Sequence, residues 1–159
     1  QFQIFNLTIL ANKLKRNKRI MRVATVDGLV TLFYDGSKQI YNRELCDEAS
    51  DLHSFDGDNL EEFDLSDECK RYWKERLSWQ QVIIEKGVTV IPKEAFYKCY
   101  NIKRVIFSNT VIRIEEYAFT GCNSLISANL PINLEHVGMY GFCGCDLISV
   151  FVPPRCRSI

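Results

Sequence analysis

The second half of the chain repeats itself, and this constrains the fold more than any other feature. Val82, Val88, Ile91, Ala95, Phe96, Cys99 and Ile102 recur as Val105, Val111, Ile114, Ala118, Phe119, Cys122 and Leu125. They recur again as Ala128, Leu134, Val137, Gly141, Phe142, Cys145 and Leu147, and a fourth unit opens with Val150, Val152 and Cys156 before Ile159. Successive units start 23, 23 and 22 residues apart, the last step having lost one residue after the cysteine. A fixed period of this length marks a stacked array, in which one unit cannot enclose its own apolar side chains and neighbours bury each other.

Each unit holds two short strand-like patches. The pairs Val82/Ile84, Val105/Phe107, Ala128/Leu130 and Val150/Val152 alternate with intervening residues, as half-buried strands do. The second patch carries Val88/Ile91, Val111/Ile114 and Leu134/Val137, and a turn then brings in the phenylalanine and the cysteine. Stacked at about 4.8 Å, like residues meet, so Phe96, Phe119 and Phe142 form one column and Cys99, Cys122 and Cys145 another.

The rhythm of valine or leucine, isoleucine or valine, Ala-Phe or Gly-Phe, cysteine and a closing aliphatic resembles the BspA-like leucine-rich repeat family. Its proline before the second patch is present as Pro131 and Pro153 and absent from the first two units. The resemblance covers residues 80–159. It implies a curved β-solenoid with a ligand-facing sheet, used for interaction rather than catalysis. The expected fold is therefore α+β: a short leucine-rich-repeat β-solenoid of three full rungs and one partial, with an N-terminal hairpin and helical cap.

The remaining sequence divides into a basic extension, residues 1–20, and a cap region, residues 21–79. Residues 21–34 read as a β-hairpin, because Asp27-Gly28 between two runs of β-formers suits a tight two-residue turn. Residues 41–52 read as a short helix and 54–64 as a loop in which Asn59 and Glu62 make a weak capping box. A clearer helix spans residues 66–77, with Ser66 as N-cap, Asp67 and Glu68 at its positive end and Lys74 and Arg76 at its negative end. Its Cys69, Tyr72, Trp73 and Leu77 share one face. We expect this helix to cover the first rung, with Trp73 or Trp79 over Ile84, Val88 and Phe96. The opposite end, cut short at Ile159, is an open edge for further repeats or another subunit.

Hydrophobic residues at 47% and charged residues at 25% are ordinary for a globular protein and exclude wholesale disorder. Twenty lysines and arginines balance twenty aspartates and glutamates, so no net field recruits nucleic acid or an acidic membrane. The charges are nonetheless sorted: residues 1–22 hold six basic and no acidic residues, and residues 44–69 hold eleven acidic and neither lysine nor arginine. Attachment to nucleic acid or a membrane surface through the basic segment is the rival functional reading. No apolar run has the roughly eighteen residues of a spanning helix. The seven cysteines are odd in number, and three fall in the hydrophobic repeat, which fits buried reduced thiols in an intracellular, cytoplasmic setting better than a disulfide scaffold.

Chemistry-bearing clusters are sparse. His136 with Cys143 is the one conceivable thiol–imidazole pair, and nothing in their spacing forces them together. Cys143, Cys145, Cys156 and His136 offer zinc ligands, but Cys145 belongs to the buried column and no Cys-x-x-Cys pair exists. His53 lies in the acidic loop. Asp56-Gly57-Asp58 lacks the alternating ligands of a calcium loop, and no Gly-rich phosphate loop occurs. No catalytic residue, metal or cofactor is expected, and a thiol enzyme is the weakest alternative. Binding has a better case. Ile83, Ile106, Asn129 and Phe151 should point outward from the first strand of each rung, making a largely apolar stripe rimmed by Lys103, Arg104 and Arg113. Flanking loops, or burial of the strand on both faces, would instead hide that stripe. The expected partner is another protein.

Overall fold

The computed structural model of the protein describes residues 21–36, 41–48, 61 and 63–158. The basic extension, the Asn59/Glu62 capping box, His53 and the Asp56–Asp58 acids lie outside these residues.

Strand β1 (Met21–Val26) turns into β2 (Leu29–Tyr34) with Val26 opposite Leu29. Asp27 and Gly28 between them both have positive φ, 50° and 78°, the backbone a right-twisted two-residue hairpin turn requires. Helix α1 (Arg43–Glu48) and helix α2 (Asp67–Ser78) follow. Ser66 caps α2 as expected, its side chain accepting from the Cys69 amide at 3.2 Å.

The repeats then supply two strands each. β3 (Gln81–Ile84), β5 (Arg104–Ile106) and β7 (Ser127–Asn129) build one parallel ladder. β4 (Val90–Ile91), β6 (Arg113–Ile114) and β8 (His136–Val137) build a second. Gln81 lies opposite Arg104, which lies opposite Ser127, and a single bridge joins Ser127 to Ser149. The second ladder continues likewise from His136 to Ser158. The register therefore advances by the same 23, 23 and 22 residues as the sequence period.

A third ladder runs through the turns. The amides of Glu94, Phe96 and Lys98 donate to the carbonyls of Glu116, Ala118 and Thr120 one rung on, at 3.0, 2.7 and 2.8 Å. Those of Tyr117, Phe119 and Gly121 donate in turn to Met139, Gly141 and Cys143, at 3.1, 2.8 and 2.8 Å. The turn bends through left-handed backbone at two repeated positions: Glu94, Tyr117 and Tyr140, with φ of 59°, 57° and 56°, and Lys98, Gly121 and Gly144, with φ of 54°, 75° and 70°. Gly141 replaces alanine in its column because a Cβ there would stand 2.8 Å from Val137 Cγ1.

Inside, the phenylalanines stack face to face. Phe96 and Phe119 are 5.0 Å apart and 9° from parallel, and Phe119 and Phe142 are 5.1 Å apart and 4° from parallel. The last two cysteine thiols of the column reach back one rung: Cys122 Sγ donates to the Phe96 carbonyl and Cys145 Sγ to that of Phe119, both at 3.2 Å. Val88, Ile91, Val111, Ile114, Leu125 and Leu134 complete the buried core.

The N-terminal end is closed differently from the expected helix laid across it. The hairpin joins the sheet itself: β2 pairs parallel with β3, Leu32 opposite Val82 and Tyr34 opposite Ile84, giving the order β1-β2-β3-β5-β7. Tyr34 meets Phe96 edge-on at 5.7 Å. Trp79 enters the core with Ile84, Val88 and Phe96, as one of the two tryptophans was expected to do. Trp73 packs instead with Cys69 and Leu77 in a separate cluster that includes Tyr41, Leu45 and Tyr100.

Arg76 closes the turn ladder. The residue is 1% exposed, and its guanidinium donates to the Tyr97 carbonyl at 2.7 Å and the Ala95 carbonyl at 3.4 Å. In the next rungs the equivalent carbonyls, Ala118 with Thr120 and Gly141 with Cys143, accept from the preceding rung's amides. Arg76 thus stands in for a rung that is not there. Tyr41, Tyr72, Trp73 and Trp79 surround it, their ring centres 5.8, 5.3, 5.9 and 5.6 Å from its Cζ. Sequence reading placed Arg76 at the helix end for its dipole and missed this role. Its position one turn before the repeats was the only available hint.

Candidate interaction surface

The outward-pointing residues of β3, β5 and β7 form two rows across the first sheet. One row runs Phe33, Ile83, Ile106, Asn129, each opposite the next in register. The other runs Thr31, Gln81, Arg104, Ser127. The Ser127–Ser149 bridge extends this register toward Phe151, which lies one rung beyond Asn129 and is 69% exposed. Three of the residues picked from sequence, Ile83, Ile106 and Asn129, therefore share one face as expected. Ile83 and Ile106 are half-buried on it, and Asn129 is exposed.

Burial grades along that face. Thr31, Phe33 and Gln81 are buried although they point away from the core. Two-sided burial, one of the alternatives weighed for the stripe, thus holds at β2 and fades toward β7. Phe33 belongs to the stripe and was not foreseen, because the hairpin was read as a separate cap rather than as the first strand of the array.

Arg104 lies in the outward row between Gln81 and Ser127 and is exposed. Lys103 immediately precedes the strand, its amide donating to the Gln80 carbonyl at 2.8 Å, and is exposed as well. No ion pair with another described residue holds either cation. Arg113 departs from expectation: β6 places it in the other sheet, where its Nε donates to Glu115 Oε1 at 3.0 Å. Parity explains the change, since Arg113 begins the second patch of its unit and so cannot rim the first.

The other candidates do not converge. His136 Nδ1 is hydrogen-bonded to Ser158 Oγ, and no hydrogen bond joins His136 to the exposed Cys143 among the described residues. No cluster of three or more His, Cys, Asp or Glu side chains among the described residues could hold a metal ion. Cys122, Cys143, Cys145 and Cys156 are free thiols. Burial drives the Cys122 thiol well above the ordinary cysteine range. The Cys145 thiol is lowered, chiefly through its side-chain interaction with neighbouring Cys122. Of this neighbouring pair Cys145 is the one that ionises first.

At the far end of the turn ladder, the amides of Tyr140, Phe142 and Gly144 occupy the donor positions of the two earlier rungs and find no acceptor among the described residues. Met139 and Tyr140 beside them are 63% and 53% exposed. No helix among the described residues is long and apolar enough to cross a membrane.

Comparison with known proteins agrees with this architecture. A family model described as BspA type leucine-rich repeat region (6 copies) matches residues 51–159, starting earlier than the repeat visible from residue 80. A leucine-rich repeat protein from Bacteroides ovatus is 28% identical over 52% of this chain and 21% of its own, with a TM-score of 0.50. A T. pallidum leucine-rich repeat protein is 18% identical, covering 90% of this chain and 63% of its own, with a TM-score of 0.52. One from Eubacterium ventriosum is 18% identical, covering 89% of this chain and 38% of its own, with a TM-score of 0.51. The last two show the fold alone. The chain spans less than two thirds of the length of each of these proteins. No match was found among curated protein sequences.

Proposed function

Because the chain belongs to the BspA-type leucine-rich repeat family, we propose that it is a non-catalytic binding module that holds a protein partner on the outer face of its first sheet. The observation that carries this reading is the in-register stripe of Ile83, Ile106 and Asn129, extended by Phe151 and flanked by Lys103 and Arg104. Half-buried aliphatic groups in a row make a contact surface that a partner completes by excluding water. The family's repeats serve as binding modules, which supports interaction over a thiol enzyme. The free donor row at Tyr140, Phe142 and Gly144 supports a second role for the far edge, contact with further repeats or another subunit. The free, buried Cys122 thiol supports an intracellular, cytoplasmic setting.

The test is competitive capture from an extract of the source organism, comparing the wild-type chain with Ile106→Asp and with Val90→Asp on the second sheet. A protein retained by wild type and Val90→Asp and lost with Ile106→Asp supports the assignment. Equal retention by all three removes it.

A further inference from the structure

The charge around the stripe narrows the kind of partner. The described outward positions of the first sheet's central strands are Gln81 and Ile83, Arg104 and Ile106, Ser127 and Asn129. None is acidic. Among the described residues, ion pairs lie elsewhere: Glu61 with Lys70 and Lys74, Glu116 with Lys93, and Glu115 with Arg113. Among the described residues no carboxylate forms an ion pair with the exposed Lys103 or Arg104, in a chain whose formal charges sum to zero. Arg104 lies two residues from Ile106 on the same strand face, so a ligand seated on the isoleucines lies within reach of its guanidinium. Burying that face under an uncharged partner would strip water from a cation with nothing to replace it, whereas a carboxylate would restore the lost interactions.

We propose that the face recognises an acidic peptide segment carrying apolar side chains, whose aliphatic or aromatic groups cover Ile83 and Ile106 while a carboxylate meets Arg104, with Lys103 adding attraction at the strand's start. The inference rests on the binding-module reading above and adds the sign of the partner's charge. Phe33 and Gln81 are buried on the β2 side, so the segment would reach Ile83 and Ile106 from the exposed side, where Asn129 and Phe151 lie.

The experiment uses the full chain and three fluorescent peptides that alternate leucine with glutamate, with serine or with lysine, read by anisotropy. The glutamate peptide is expected to bind most tightly, to weaken as salt rises, and to lose about tenfold in affinity against Arg104→Glu. That variant should prefer the lysine peptide, a charge reversal that a merely unfolded variant would not show. Equal binding of the serine and glutamate peptides, lost on Ile106→Asp but unmoved by Arg104→Glu, overturns the acidic preference and leaves the module reading standing. Peptide binding indifferent to Ile106→Asp overturns both. Tighter retention of single-stranded RNA than of the glutamate peptide overturns the inference in favour of a nucleic-acid partner.

Discussion

Replacing Arg76 tests how the array is closed. In Arg76→Met the side chain keeps much of its length and apolar character, but the Tyr97 and Ala95 carbonyls lose their donor. The bond to Tyr97, at 2.7 Å, has the length of a charge-assisted interaction, a class worth about 1.5–3 kcal/mol, and the one to Ala95, at 3.4 Å, contributes less. The four surrounding rings add an attraction of about 1–2 kcal/mol for a desolvated cation. Against this, the variant no longer buries a charge, which returns part of the cost of desolvation. Water also reaches the half-buried Tyr97 more easily than Ala95. The net expectation is a loss of about 2–3 kcal/mol, or about 4–12 °C in Tm for a chain of this size. Arg76→Lys keeps the charge but cannot present two donors in one plane, so it should fall between wild type and Arg76→Met. Urea unfolding followed by tryptophan fluorescence suits the purpose, since Trp73 and Trp79 both flank the guanidinium. Unchanged midpoints in both variants would refute the idea that Arg76 substitutes for a missing rung.

Two other expectations concern the interior. Phe119→Ala, which empties a ring stacked on both faces, should cost about 3–5 kcal/mol, whereas Phe142→Ala at the half-buried end should cost less; equal melting of the two variants would mean the stack does not carry the core. Thiol labelling of the native chain should modify Cys143 first, then Cys145 with a half-maximal pH below that of free cysteine, and leave Cys99 and Cys122 untouched. Above about pH 8.5 the unfolded chain releases the Cys122 proton while the folded chain keeps it, so this group's stabilisation is lost as pH rises. Cys145, ionising earlier when folded, adds stability as pH rises toward that value, before the Cys122 loss sets in. A Cys122→Ser variant whose stability fell just as steeply above that pH would exclude the assignment.

The repeated half was legible because its period is physical as well as textual: residues 23 apart occupy the same place in successive coils, so Phe96, Phe119 and Phe142 had to meet. The outward positions of Ile83 and Ile106 followed from strand alternation alone. What escaped sequence reading depended on contacts between segments that share no pattern. The hairpin's alternation revealed two strands and an Asp-Gly turn, but nothing local declared that β2 would pair in parallel with β3 across an intervening helix. Arg76 looked like an ordinary basic residue at a helix end, because its value lies in two carbonyls nineteen and twenty-one residues away. Arg113 was assigned to the wrong sheet because charge was read by proximity in sequence rather than by which patch of the repeat it occupies.

The shortened third unit shows where this architecture tolerates a change of length. Ser149 still faces Ser127 and Ser158 still faces His136, although one residue is missing between Cys145 and Leu147. The omission is absorbed in the corner after the thiol, so both ladders resume in step as if nothing had been deleted. That corner behaves as an expansion joint: insertions or deletions placed there leave the outward rows aligned, whereas a single residue added within β5 would swap Arg104 and Ile106 between the wet and dry sides and erase the recognition face.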